Sequence, residues 1–278
     1  MLALRRKKIL TSIISSIKQL FITNLFDQGS YSSYSVVDDT PTIRIVPFRH
    51  WDNKWAWWSI QSKQWKNKIP HFAVPKSGFY DGFVTGTILA TWSTSLDSDT
   101  WTQFDHIITG TTDLEFYNDT SFPGGTIYIA PLAMYPWTRV ERKVNEWLSN
   151  PLVSDTPSSS NGIIGYSTPR ALNDNSGRIA PALPFYGFKI SNGAGSKNNI
   201  ILNSSNHAHE HMGQFQLEGA VDWILGGSDL ATFLLDYNDI YVYPCVNPQG
   251  IWGGWFRSSP ETPTQDNNRI WNTTGTNE

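Results

Sequence analysis

From Tyr186 to Val246 the sequence alternates β-type runs with helical ones, and this alternation limits the fold more than any other feature. Tyr186–Ile190, Asn199–Asn203 and Ile240–Val246 read as strands, and Glu210–Leu225 and Asp229–Asp236 as helices. Elements in that order cover their apolar faces as an α/β domain, with helices packed on a mixed sheet. Asn199-Ile200-Ile201-Leu202-Asn203 reads as a buried strand. Val140–Leu148 adds a helix, and Ser154–Gly162, rich in Ser and Pro, reads as a loop.

Upstream, residues from about 30 to 135 are β-rich. Phe79–Trp92 mixes aromatic and β-branched residues with glycine. Leu114–Tyr117 and Thr126–Ala130 are short strands, separated by turns such as Pro123-Gly124-Gly125. No repeat of fixed period is present. Several of the 13 Trp lie in Trp51–Trp65. They could form an aromatic platform for sugars or a partner. Packing into the core and turns of a β-rich domain is the favoured reading, because exposed Trp is costly and buried Trp dominates a core by area.

At the N-terminus a basic cluster, Arg5–Lys8, precedes Ile9, Ile13, Ile14, Ile17, Leu20 and Phe21, which follow helical spacing. Lys18 interrupts the apolar run and no small-residue cleavage site follows, so the segment is not read as a signal peptide. It is also too short and polar to span a bilayer, and no transmembrane segment is expected. An amphipathic helix there could lie on a membrane surface or dock on protein. The resulting organisation is a helix or tail over 1–29, a β-rich domain over 30–135 and an α/β domain over 136–278.

Composition excludes some classes. With 39% hydrophobic and 16% charged residues, the chain is one that folds. A net charge of −3 and no basic stripe argue against a nucleic-acid partner. Cys245 is the single cysteine, so no intrachain disulfide can form. A reducing compartment is compatible with this, and a cytoplasmic location is the expectation.

The chemistry concentrates between Asn199 and Trp271. The Asn199–Asn203 strand runs into Ser204-Ser205-Asn206-His207-Ala208-His209-Glu210-His211, and a helix begins. His207 and Glu210 have His-x-x-Glu spacing, which at a strand-to-helix junction can aim an imidazole and a carboxylate at one point. Zinc accepts both, and catalytic zinc sites commonly use two His and one Glu with water. His207 with His211 is an alternative pair, ranked lower because His207 precedes the helix. Alone, such a turn is more often a solvated loop. Here Asn247-Pro248-Gln249-Gly250 follows, read as a tight turn, then Arg257, then Asp266-Asn267-Asn268-Arg269.

In that order and approximate spacing the segment resembles the zinc metallocarboxypeptidase family: His-x-x-Glu, a helix and strand, Asn-Pro-Asp-Gly, an arginine, and Asp-x-Asn-Arg. It is most similar to the cytosolic carboxypeptidase branch, where the arginine closely follows the Asn-Pro turn. That branch carries a β-sandwich ahead of the catalytic domain, so the implied fold is a β-sandwich-like domain followed by the first half of a carboxypeptidase-type α/β domain. The resemblance implies Zn2+ as cofactor, with His207 and Glu210 as two of its ligands. It implies that Arg257 polarises the scissile carbonyl and that Asn268 and Arg269 bind the substrate's terminal carboxylate. The substrate would be a peptide or protein C-terminus.

Two departures stand out. Gln249 occupies the family's Asp position, and His209 one that is often Arg in digestive relatives. The family's third ligand, a downstream His, and its general base, a later Glu, are not found before Glu278. His50, His71 and His106 all lie upstream. A truncated and inactive portion of a larger hydrolase is therefore the expectation. Two other functions fit: a zinc deacylase of N-acyl amino acids, whose substrates also carry a carboxylate, and a non-enzymatic carbohydrate- or partner-binding module built on the Trp-rich region.

Overall fold

The computed structural model describes residues 21–25, 28–36, 42–49, 57–63, 69, 71–77, 90–172, 177–195, 197–255, 257 and 260. The chain divides into two compact units, Met1–Met134 with Asn173–Arg178, and Tyr135–Leu172 with Ile179–Glu278. Among the described residues no helix is long and apolar enough to cross a membrane.

The first unit holds two five-stranded sheets. One orders β1 (Phe21–Thr23), β4 (Ile60–Lys63), β10 (Ile127–Ala130), β6 (Thr91–Ser93) and β7 (Thr102–Gln103). The other orders β2 (Ser33–Val36), β3 (Ile43–Val46), β5 (His71–Pro75), β9 (Asp113–Tyr117) and β8 (His106–Thr109). Burial alternates along β3 and β9, as the two-residue period of a strand with one covered face requires. Ile60, Ile127 and Ile129 from one sheet share a core with Ile43, Ile45, Phe72, Val74, Leu114 and Phe116 from the other. This is a β-sandwich.

Phe116 is the hub of that core. Its ring lies 5.3 Å from Trp58, 5.5 Å from Phe72 and 4.9 Å from Phe104. Phe116→Ala is expected to destabilise the sandwich by about 3–5 kcal/mol, because three rings cannot close the cavity at once. Urea unfolding followed by Trp fluorescence would measure it, and a loss under about 1 kcal/mol would mean the cluster repacks freely. Trp57 and Trp58 are buried, so neither offers a face to a sugar. Trp51, Trp55 and Trp65 lie outside the described residues.

In the second unit, β11 (Val153–Asp155), β16 (Phe188–Ile190), β18 (Asn238–Tyr243) and β17 (Asn198–Asn203) form a four-stranded sheet in that order. β17 and β18 run parallel, and the other pairs are antiparallel. The sheet is therefore mixed, as the alternation of elements required. Two small antiparallel pairs, β12 (Ile163–Tyr166) with β15 (Pro184–Tyr186) and, nested between them, β13 (Arg170–Ala171) with β14 (Ile179–Ala180), lie in sequence between β11 and β16. The helices are α1 (Trp137–Leu148), α2 (His211–Leu225), α3 (Asp229–Tyr237) and α4 (Pro248–Gly253). Val144 and Trp147 of α1, Val221 and Ile224 of α2 and Leu235 of α3 pack in one core with Phe188, Ile190, Ile240 and Val242 of the sheet.

Local chemistry sets the boundaries. Gly227, at φ +68°, helps turn the chain out of α2, and Ser228 caps α3 by accepting the Ala231 N–H.

Several sequence expectations change in detail. Phe21–Thr23 is a strand, not the end of a helix; the rest of the proposed amphipathic helix lies outside the described residues. The Tyr186–Ile190 strand breaks at Gly187, where a Cβ would come within 2.4 Å of the Ile164 side chain. Val153–Asp155 is already strand, after which the Asp155 carboxylate accepts the Asn161 and Gly162 N–H groups and closes the loop. Asn247–Gly250 opens a short helix instead of a tight turn, because Asn247 Oδ1 accepts the Gly250 N–H and Pro248 takes the first helical position. β17, expected to be buried, lies at the sheet's edge among the described residues, and Ile201 is 66% exposed.

Candidate metal centre

The centre grows from the carboxyl ends of the two parallel strands. Beyond β17, Ser204 ties the two ends together. Its Oγ donates to the Pro244 carbonyl at 2.6 Å, and its carbonyl accepts the Val246 N–H at 3.1 Å. Ser205 follows in the left-handed region, at φ 63°, and redirects the chain. The Glu210 N–H then bonds the His207 carbonyl at 3.2 Å, closing a turn directly ahead of α2.

That turn brings His207 and Glu210 together, with Nδ1 of His207 2.7 Å from Oε1 of Glu210. His207 is buried, and the Glu210 side chain is about half exposed, at 51%. Glu210 holds the N-cap position of α2, yet its carboxylate caps no helix N–H; it turns to the imidazole instead. Burial opposes ionisation of Glu210. The His207 hydrogen bond, with the fields of His207, His209 and Arg257, outweighs burial and holds the carboxyl below its usual range. Glu210 is therefore an anion at neutral pH, the state in which a carboxylate binds a metal.

The neighbouring histidines differ in surroundings. The His209 ring is buried and stacks 6.2 Å from that of His207. His211 opens α2, and its Nδ1 accepts the Tyr135 N–H at 3.4 Å. Complete burial, with His209 adding to it, lowers the His211 imidazole to about 3, so it is neutral. Arg257 is half-buried and lies near enough for its charge to act on Glu210. Asn268 and Arg269 lie outside the described residues.

Imidazole nitrogen and carboxylate oxygen are donors that zinc accepts, and both converge here. Among the described residues no group of three His, Cys, Asp or Glu side chains is placed to hold a metal. His207 and Glu210 are thus donors of the types that zinc accepts, two in number among the described residues. A groove of about 490 Å³ opens beside them, lined by Leu202, Asn206, Glu210, Gly213, Leu217 and Ala220 among others.

Gln249 has a role that spacing did not disclose. It is buried, and its Nε2 donates to the Thr168 carbonyl at 2.7 Å and the Pro181 carbonyl at 3.1 Å. A carboxylate there would face two acceptors without a proton, so the amide suits this chain's loops where the resembling motif has Asp.

No family model and no curated protein sequence matches the chain. Solved structures do match. The metallo-carboxypeptidase from Burkholderia cenocepacia aligns with TM-score 0.72 at 18% identity, over 91% of this chain and 62% of its own. The metallo-carboxypeptidase from Pseudomonas aeruginosa, in complex with (2-guanidinoethylmercapto)succinic acid, aligns with TM-score 0.70 at 19% identity, over 90% of this chain and 61% of its own. The described fold is thus the carboxypeptidase-like one. The chain spans about six-tenths of the length of these structures.

Proposed function

We propose that the second unit is a zinc-dependent carboxypeptidase-type module directed at C-terminal peptide bonds. The observation that carries the proposal is the convergence of His207 and Glu210 at the carboxyl end of β17, in a chain of this fold. These two residues would hold the metal, which when bound supplies an activated water and a Lewis acid. The Arg257 guanidinium, permanently charged, would hold the oxyanion that develops on the scissile carbonyl. Asn268 and Arg269 would take the substrate's terminal carboxylate, Arg269 through a forked pair of hydrogen bonds. Arg257 follows Asn247-Pro248 closely, which favours the cytosolic branch of the family.

The test is binding of (2-guanidinoethylmercapto)succinic acid, followed by calorimetry at saturating zinc. Binding is expected to require zinc and to weaken about 10-fold or more in Arg257→Ala, since a charged hydrogen bond is lost. Absence of zinc-dependent binding would sink the proposal. The described residues offer the metal two ligands, and a two-ligand centre is a poor catalyst, so the chain alone is expected to release no amino acid from short peptides. Chelator-sensitive release by it would mean that a nearby residue such as His209 completes the centre. The deacylase reading uses the same carboxylate-binding pair, and release from N-acyl amino acids in preference to peptides would favour it.

A further inference from the structure

We propose that Ser204 is a positioning residue, which fastens the metal-binding turn to the segment leading to Arg257 and so sets that guanidinium against the metal pair. This rests on the carboxypeptidase-type reading of the centre. Ser204 would act through those residues and not on substrate.

The two halves of the centre leave different strands. β17 leads through Ser204 and Ser205 to His207 and Glu210, and β18 leads through Pro244 and Val246 to α4 and on to Arg257. The parallel ladder between the strands ends at the pair Asn203 and Tyr243. It cannot simply continue, because Pro244 has no N–H to offer and Ser205, at φ 63°, turns its own strand away. Ser204 bridges the gap with all three of its polar groups. Its N–H donates to the Tyr243 carbonyl at 3.4 Å, its Oγ donates to the buried Pro244 carbonyl at 2.6 Å, and its carbonyl accepts the Val246 N–H at 3.1 Å. Ser205 Oγ lies 3.3 Å from Ser204 Oγ. The one hydroxyl proton of Ser204 is committed to Pro244, so Ser205 is the donor in that contact.

On each side of this fastening the chain is held. Toward the metal pair, the Glu210 N–H closes its turn on the His207 carbonyl at 3.2 Å. Toward Arg257, Asn247 Oδ1 accepts the Gly250 N–H at 2.9 Å, Gln249 clamps the Thr168 and Pro181 carbonyls, and the N–H of the buried Trp255 returns to the Gly250 carbonyl at 2.9 Å. Two held segments joined at their base keep a fixed separation farther out. Arg257 lies near enough for its charge to reach Glu210. A displacement of about 1 Å in such a group can cost a reaction about 100-fold, so the joint at Ser204 bears directly on what Arg257 can hold.

Ser204→Ala deprives the buried Pro244 carbonyl of its hydroxyl donor. At saturating zinc, calorimetry is expected to show binding of (2-guanidinoethylmercapto)succinic acid weakened about tenfold, as loss of a supporting partner does. Zinc affinity itself should stay within about threefold, because the His207–Glu210 turn is closed by its own backbone bond. Losses that pass through Arg257 do not add, so Ser204→Ala in an Arg257→Ala background should cost less than about threefold more. Ser204→Thr keeps the hydroxyl and should restore binding. Ser204→Cys, of similar shape with a weaker donor, should fall between, and takes the place of the alanine variant if that one does not fold. Fully additive losses, or a zinc affinity that falls as far as binding of the compound, would overturn the proposal.

A second measurement needs no metal. In the metal-free chain, amide exchange at both Glu210 and Gly250 is expected to quicken about tenfold in Ser204→Ala, with Val144 of α1 unchanged. Quickening at neither amide, at one of them only, or equally at Val144 would overturn the proposal as well. A wild-type chain that binds none of the compound at saturating zinc would sink the reading of the centre instead, and the exchange comparison would then decide the role of Ser204 by itself.

Discussion

Zinc titrated into the chain is expected to bind weakly, and His207→Ala or Glu210→Ala is expected to remove that binding from the range of calorimetry. Protein zinc sites ordinarily use three or four side chains, and the described residues offer two. With two ligands the second cannot compensate for loss of the first. The effect should exceed the roughly 10–100-fold that removal of a mere supporting partner costs. His211→Ala serves as the control. Its Nδ1 takes the Tyr135 N–H, so its replacement should lower stability while leaving zinc affinity within about threefold, a change worth less than 1 kcal/mol. Tight stoichiometric binding that survives His207→Ala would place the ligands elsewhere in the chain.

The fold class was legible because its signals are local and repeated. The 2-residue burial period of β9 shows in Leu114–Tyr117, and the apolar spacing of α2 and α3 predicts both helices to within a residue or so. What the sequence hid was long-range. Whether Asn198–Asn203 lies inside a sheet or at its edge depends on what pairs with it, and an aliphatic run looks the same in either place. One predicted strand splits at Gly187 because its halves pair in different sheets, β15 with β12 and β16 with β11 and β18, and Ile164 and Tyr243, neither its sequence neighbour, leave no room for a Cβ there.

At the candidate centre, the spacing of His207 and Glu210 was visible as a motif. Their 2.7 Å contact needed the Ser204 and Ser205 turn to become real. Gln249 looked like a simple departure from a pattern. It proves to be a clamp on two carbonyls contributed by segments far away in the sequence.

The buried ion network between α1 and α2 was likewise unreadable, since its charges look like ordinary helix-surface residues. Arg139, Lys143 and Trp147 recur every four residues on α1, and Glu218 and Asp222 do so on α2. Arg139 donates from Nε and Nη2 to the two Glu218 oxygens, each at 2.8 Å, and the Tyr135 hydroxyl donates to the same carboxylate at 2.7 Å. The guanidinium also lies 5.0 Å from the Tyr135 ring centroid and 4.9 Å from that of Phe215. One turn on, Asp222 accepts from Lys143 at 2.8 Å and from Trp147 at 2.7 Å. The Arg139 and Glu218 side chains are only 4% and 12% exposed. Arg139→Ala leaves the Glu218 carboxylate with the Tyr135 hydroxyl and with Lys143, whose Nζ lies 3.7 Å from it, and is expected to destabilise the second unit by about 3 kcal/mol, the lower end for a broken buried pair.

Tyr135→Phe should cost less, about 1.5–3 kcal/mol, because the guanidinium still satisfies the carboxylate. Replacing both charges, as in Arg139→Met with Glu218→Leu, is expected to recover most of the loss, since no charge is then left buried alone. Urea denaturation of the three variants, monitored by circular dichroism, separates these cases. A cost below about 1 kcal/mol for Arg139→Ala would put the pair in the class of solvent-screened surface bridges. α2 would then be held to α1 mainly by apolar packing, and the position of Glu210 at its N-terminus would not depend on these charges.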